Sequence, residues 1–534
     1  MNKIKGTMWK TTWLLASLTV LSRVAGLVRD RLLAGDLGAG KQLDIYYASF
    51  RLPDLVFNLL ILGTLTVAFL PVFSKKLEQS KDSANTLART LMLSAVGGIL
   101  VLCLIVWLMV PSLIPVLVPG FDRDARNLTV ELTRIMLLSP VLFTFSSIIT
   151  AILNTYRKFF WAGLAPVFYN AGIIFGIIFL YPNFGLKGLA VGVLIGAVLH
   201  AGVQLPDLWL SGFRFLGKLE FGKDLMKVGL LFLPKVIGVD SQQFTLLVYS
   251  FFGSYLTAGS ISVLTLSSNI EAVPLGVFAV SGAIAVFPLL SQAVAKENFG
   301  NFLGYLESSL DQMFLFLLPA TVWMLLLRAQ TVRLLLGTGH FDWAATTRTF
   351  ECLGILTLSL FAQGMVPLLA RAFYALQNTW IPALIGIITI TINFFIAFIL
   401  VKPLGVIGLA IGFSGSVIIN AVILFITFFI YLRQQVPGMH SQLTNFVYRL
   451  QQSVFRLLTF SIASGTGLYG TLYILDFVFD THTWVGLALQ VFGACLVGLT
   501  IYIGAIYLNA KFDPGQSRIY LKFQSIVSRF RVPS

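Results

Sequence analysis

Charge is what this chain has least of. Only 11% of its 534 residues are Asp, Glu, Lys or Arg, where soluble domains carry about 25%. A soluble protein of this size cannot cover its apolar surface with so few charges, which excludes a soluble enzyme and a disordered chain. Cysteine is nearly absent too. Cys103, Cys352 and Cys495 all sit in apolar stretches without CxxC spacing, so neither a disulfide scaffold nor a thiolate metal site is expected. Four scattered histidines are too few for a metal centre. What is present is bulk: 57% hydrophobic residues, 46 Phe and 9 Trp, with a mean hydropathy of +0.88. The chain belongs in a bilayer.

The net charge of +15 would suggest nucleic acid as the partner of a soluble chain. Here the basic residues fall in short segments between apolar stretches, the pattern of loops facing an anionic leaflet. Nucleic acid is therefore excluded as a partner. About fourteen stretches are long and apolar enough to span, each of roughly 20 residues. They cover residues 12–34, 44–73, 91–117, 128–153, 159–180, 189–210, 225–252, 260–290, 302–327, 350–376, 381–401, 406–432, 454–477 and 484–508. With both termini inside, the inner loops collect Lys75, Lys76, Arg157, Lys158, Arg214, Lys218 and the basic tail, while the outer loops hold far fewer. An odd span count would destroy that asymmetry. The first apolar run lacks a small-residue cleavage site before Arg23 and reads as a retained helix rather than a signal peptide.

Segments recur in order along the chain. Ala68-Phe69-Leu70-Pro71 resembles Val286-Phe287-Pro288, 217 positions apart by the proline. Asn154-Thr155 with Asn170 resembles Asn378-Thr379 with Asn393, and Gly188-Leu189-Ala190-Val191-Gly192 returns as Gly408-Leu409-Ala410-Ile411-Gly412, 220 positions on. Six spans lie between repeats, so both halves share one orientation. This predicts an all-α polytopic protein of two parallel six-helix bundles around a central cavity. The bundles fall at 1–220 and 221–435, followed by an extra helix pair at 436–510 and a basic cytoplasmic tail at 511–534.

Ionisable groups at membrane depth are expensive, so each is a functional candidate. Arg23 lies 13 residues beyond Lys10, roughly 20 Å up a helix and near the midplane. Arg29, Asp30 and Arg31 follow on the same helix; Asp44, Arg51 and Asp54 belong to the next. One reading is local neutralisation, Arg29 by Asp30 and Arg51 by Asp54. The other is a cationic wall for an anionic headgroup, because guanidinium matches phosphate geometry. Asp240, with Asn378 and Asn393 in the second bundle, forms an oxygen-rich candidate site for a coupling cation, sodium or a proton. Glu131 and Arg134 read as a bridged i,i+3 pair. Gly35-Asp36-Leu37-Gly38-Ala39-Gly40-Lys41 fits GxxxxGK, but Gln42 replaces the magnesium-binding hydroxyl and no strand precedes it, so it reads as a tight turn. No nucleotide site or resident cofactor is expected.

The opening Leu21-Ser22-Arg23-Val24-Ala25-Gly26-Leu27-Val28-Arg29-Asp30 resembles the MurJ (MviN) family. So do Gly38-Ala39-Gly40, Asp44, Arg51-Leu52-Pro53, Ala68-Phe69-Leu70-Pro71, Ile152-Leu153-Asn154 and Leu164-Ala165-Pro166 with Asn170. The likeness runs from about residue 10 to 430. It implies a flippase of lipid II, the undecaprenyl-pyrophosphate-linked muropeptide, in the bacterial inner membrane; a monomer is expected. It also implies a fold shared with multidrug (MATE) and polysaccharide exporters. By resemblance, Arg23 and Arg29 would line a cationic cavity for the pyrophosphate, with Asp30 and Asp44 at family acidic positions and a sodium site in the second bundle. Where relatives carry basic residues, this chain has Phe57, Asn58 and Asn269; Arg31, Arg51 or Arg371 would have to compensate. The alternatives are an ion-coupled drug antiporter or polysaccharide-lipid exporter of the same fold, and an intramembrane enzyme. The basic first bundle argues against cationic drugs, and only Glu307 and Asp311 hint at an enzyme's paired carboxylates.

Overall fold

The computed structural model describes residues 2–60, 64–222, 225–226, 241–436 and 438–512, and among them every regular element is a helix. The order begins α1 (Asn2–Leu37), α2 (Lys41–Ser49), α3 (Arg51–Leu60), α4 (Thr64–Gln79) and α5 (Lys81–Leu117). Three spans follow: α6 (Arg123–Thr155), α7 (Phe160–Phe184) and α8 (Leu186–Leu210). Next come α9 (Ser241–Gly253), α10 (Ser260–Pro274), α11 (Ser281–Ala295), α12 (Phe299–Leu326), α13 (Arg328–Leu336), α14 (Trp343–Thr357) and α15 (Leu360–Ala375). The last four are α16 (Trp380–Leu404), α17 (Val406–Gln435), α18 (His440–Asp476) and α19 (Trp484–Phe512).

Among the described residues, nine helices are long and apolar enough to cross a membrane, or ten if the bent pair α14–α15 is one span. The four other expected spans fail that test for separate reasons. In helix α1 the side chains of residues 2–13, 15 and 16 lie outside the described residues. The second expected span is interrupted at Phe50, between α2 and α3, and residues 61–63 lie outside the described residues. Half of the seventh, residues 227–240, lies outside the described residues. The thirteenth, in α18, is diluted by Ser461, Ser464, Gly465, Thr466, Gly467 and Gly470.

Contacts divide the chain into two compact units. The first comprises Met1–Leu266 with Leu336–Ala345 and Ala397–Leu409; the second comprises Ser267–Leu335, Thr346–Ile396 and Ala410–Ser534. Inside the first, α7 and α8 pack through glycines. A Cβ on Gly192 would stand 2.7 Å from the Cα of Gly176, and one on Gly172 would strike Gly196. With hydrocarbon as solvent there is no hydrophobic drive between helices, so close backbone approach and dispersion hold such a pair together.

The repeat is visible in backbone geometry at a register of 220 residues. Gly185 and Gly405 both adopt φ +57, a left-handed conformation open to glycine at little cost. Arg157 and Gln377 adopt φ 57 and 59. The hydrogen bond from Lys158 N to Leu153 O recurs as Asn378 N to Phe373 O. Asn378 is thus the counterpart of Lys158, one turn away from the Asn154 suggested by sequence.

The GxxxxGK segment is a turn, as read: Gly38 has φ +63, and Lys41 bonds Asp122 at 2.5 Å. That ammonium, with the Ala125 amide, holds the Asp122 carboxyl below the usual carboxylate range. Opposite it, Gly259 adopts φ +92 with its Cα against the carbonyl of Ala39, leaving no space for a side chain.

The second unit is built on a leucine and phenylalanine core in which Phe428 lies 6.1 Å from Phe302 and 5.6 Å from Phe373. Helix α18 is fixed to α12 at two levels. Arg449 forks onto Glu307, both bonds 2.9 Å, and Trp323 Nε1 donates to Ser464 at 3.0 Å. From α19, the Tyr502 hydroxyl donates to Leu315 O at 2.7 Å.

Candidate functional site

The charged positions of α1 to α3 do not form one cluster; they divide into three groups, all within the first unit. The centre of the first is Arg29. Its Nε and Nη2 both reach Asp30 Oδ1, at 2.9 and 2.7 Å, and its Nη1 donates to Asn170 Oδ1 at 3.1 Å. Asn170 is oriented by its own Nδ2, which donates to Pro166 O one turn back in α7. A guanidinium has five N–H donors; three are spent here, so two remain. The Arg29 side chain is 21% exposed against 4% for Asp30. The pair is therefore a buried carboxylate steadying a cation whose outer edge is open. Around it stand Asp54, Tyr169, Tyr46 and Tyr47, all within electrostatic range. The hydroxyls of Tyr46 and Tyr47 have no hydrogen-bond partner.

The second group is Asp44. Its Oδ2 accepts the Gly259 N–H at 2.6 Å, and its Oδ1 accepts the N–H and the hydroxyl of Ser262 at 2.7 and 2.6 Å. It caps the start of α10, where free N–H groups and the helix dipole favour an anion. Asp44, expected as a substrate contact, ties α2 to α10 in this structure. Arg51 makes the third group. It is 5% exposed, and its Nε and Nη2 donate to Ser250 Oγ and Thr265 Oγ1, at 2.8 and 3.1 Å. Two hydroxyls on α9 and α10 thus take its hydrogen bonds, while Asp54 stays within electrostatic range of it. Arg23 is exposed on α1 and belongs to none of the three groups.

Other expectations also find new partners. Glu131 bonds Lys187 at 2.6 Å, while Arg134 stacks over Trp107, 4.3 Å from its ring centroid, so that i,i+3 bridge is not formed. His200 is a packed polar residue, its Nδ1 2.7 Å from Ser146 Oγ. Phe57 packs on Phe143, and Asn58 donates back to Asp54 O. Glu307 is committed to Arg449.

Of the coupling-site residues, Asp240 lies outside the described residues. Asn378 sits in the turn before α16, and its Oδ1 accepts the Ile381 N–H at 3.1 Å, which makes it a helix cap. Asn393 is mid-helix, 1% exposed, with neither amide atom partnered. In the same unit Glu271, 2% exposed, accepts from Gln363 Nε2 at 2.5 Å. No group of three or more His, Cys, Asp or Glu placed to hold a metal occurs among the described residues.

Sequence reasoning did not single out Tyr46, Tyr47, Ser250, Ser262, Gly259 and Thr265. The one available signal was the Tyr-Tyr pair, polar at its tips inside an otherwise apolar run.

A family model described as lipid II flippase MurJ matches residues 33–485. A probable lipid II flippase MurJ of Vibrio cholerae is 28% identical over 520 residues, 93% of this chain and 95% of its own length. One from Bdellovibrio bacteriovorus is 30% identical over 78% of this chain and 81% of its own. Among solved structures, a lipid II flippase MurJ in an inward closed conformation aligns with a TM-score of 0.74 at 24% identity, covering 95% of this chain and all of that one. An inward-facing MATE multidrug transporter aligns at 0.62 and 17% identity, over 77% of this chain and 95% of its own.

Proposed function

The chain belongs to the MurJ family of lipid II flippases, and from that premise we propose that it moves undecaprenyl-pyrophosphate-linked muropeptide from the inner to the outer leaflet of the bacterial cytoplasmic membrane by alternating access. The problem such a protein solves is electrostatic. A pyrophosphate with its sugars crosses hydrocarbon only at a cost of many kcal/mol, so the headgroup must exchange water for fixed donors. The observation that carries this reading is Arg29, held by Asp30 and Asn170 with two N–H groups unspent and an open edge. Guanidinium presents such donors to phosphate oxygens in matched geometry. Arg23, exposed on the same helix, is the residue we assign to the approach of the headgroup.

In this reading the chain is a transporter with no catalytic step and no resident cofactor. It works as a monomer among membrane lipids, both termini are cytoplasmic, and two six-helix halves at 1–220 and 221–435 are followed by the helix pair at 436–510. Asp240 and Asn393 are the residues we assign to a coupling cation, sodium or a proton; what supports Asn393 is its buried, unpartnered amide.

The test is depletion in the host, followed by an assay of which leaflet holds the lipid-linked precursor. Inner-leaflet accumulation, reversed by wild type but not by a normally inserted Arg29→Ala chain, is the expected result. A normal distribution in a host without a second flippase would sink the reading.

A further inference from the structure

Tyr46 and Tyr47 present a physical puzzle. They are consecutive residues of α2, their rings 5.7 Å apart, exposed by 1% and 6%. Both lie within electrostatic range of Arg29 and Asp30, and Tyr46 also within range of Asp54 and Tyr169. Neither hydroxyl has a hydrogen-bond partner. Buried phenols ordinarily find one, because an unmade hydrogen bond away from water is destabilising. Were packing the only demand, phenylalanine would fill both positions better, as Phe50 does where it meets the Tyr46 ring edge-on at 5.0 Å.

Unspent donors stand in this neighbourhood beside the carboxylate of Asp54. Arg29 retains two N–H donors, and the two phenols add two O–H donors. That carboxylate bonds neither phenol, so what is missing is an acceptor that reaches them. An anionic oxygen satisfies both groups, and charge-assisted hydrogen bonds to it are the strong ones. The two positions where relatives carry basic residues do not supply such donors: Phe57 packs on Phe143, and Asn58 donates back to its own helix.

We propose that Tyr46 and Tyr47 are substrate-binding residues, donating their hydroxyl protons to phosphate oxygens of the lipid-linked headgroup held by Arg29. This rests on the reading of Arg29 above and deepens it. The phenols supply by hydrogen bonding part of what the absent cations supply by charge.

The experiment titrates the purified full-length protein in detergent with lipid II, comparing Tyr46→Phe, Tyr47→Phe, the double variant and Arg29→Ala with wild type. Melting temperature is recorded without ligand. Each single change should weaken binding roughly tenfold and the double change roughly 100-fold, as expected for hydrogen bonds to a charged group. Melting without ligand should stay the same or rise, because a buried group without a partner has been removed. Wild-type affinity in the Phe variants, with binding lost in Arg29→Ala, overturns the proposal and leaves the Arg29 reading standing. A lower melting temperature in the Phe variants overturns it as well, since the hydroxyls would then be structural donors to Asp30 or Asp54. Normal binding by Arg29→Ala overturns the headgroup reading, and this proposal with it.

Discussion

Two buried carboxylates, one in each unit, are satisfied in opposite ways. In the first unit Asp44 takes two backbone N–H groups and a hydroxyl at the start of α10. In the second, Glu307 takes a guanidinium fork from Arg449, carried by α18. Pulling Glu307 from Arg449 takes a charged partner from a carboxylate that is 8% exposed at its side chain. Pulling Asp44 from α10 uncovers N–H groups at a helix end, which water can serve. The fork sets side chain against side chain, whereas the capped helix start sets a side chain largely against backbone.

Substitution can break this contrast, and the largest effect is expected at Glu307. Glu307→Gln should lower stability by about 2 kcal/mol. A fully buried broken pair costs more, but the Arg449 side chain is 42% exposed and can return to water. The check is the thermal midpoint in detergent, with Arg449→Met as partner in a double-mutant cycle. Asp44→Asn should cost less, about 1 kcal/mol, yet raise labelling of a cysteine placed at Ser260 by an impermeant maleimide. If Asp44→Asn proves the more destabilising and labelling does not change, the contrast is reversed. The smallest effect is expected at Asn393. Asn393→Leu removes a buried amide without partners and should leave stability unchanged or raise it by up to about 1 kcal/mol. A clear loss of stability in cation-free buffer would show that the amide has a structural partner.

The sequence exposes what is local and periodic. Apolar runs foretell helices, the Gly188 and Gly408 segments foretell the repeat, and neighbouring Arg29 and Asp30 foretell their own pairing. It is silent where a partner is distant. The contacts of Asp44 lie 215 and 218 residues away, and the hydroxyls that take Arg51 lie 199 and 214 away. Helical-wheel geometry sees only neighbours, so Asp54 looks like the natural partner of Arg51, and Arg134 that of Glu131. Asn378 misleads for another reason. An asparagine three residues before an accepted amide is a cap signal, but a repeat aligned one turn off places it beside Asn154 and conceals the cap. The span count falls short at α1 and at α2–α4, where side chains of α1 and residues 61–63 lie outside the described residues and a turn at Phe50 separates α2 from α3. Those are also the elements that carry Arg29, Tyr46, Tyr47 and Arg51.

The fork between Glu307 and Arg449 also sets a timetable for synthesis. Its two ends are separated by 142 residues, which a ribosome adding about 5–20 residues per second covers in roughly 7 to 28 s. Throughout that interval the ninth expected span waits in the membrane or the insertion machinery without its guanidinium. The end of the chain thus completes a helix made long before it, and nascent chains halted short of Arg449 should present α12 to quality-control proteases as an unfinished surface.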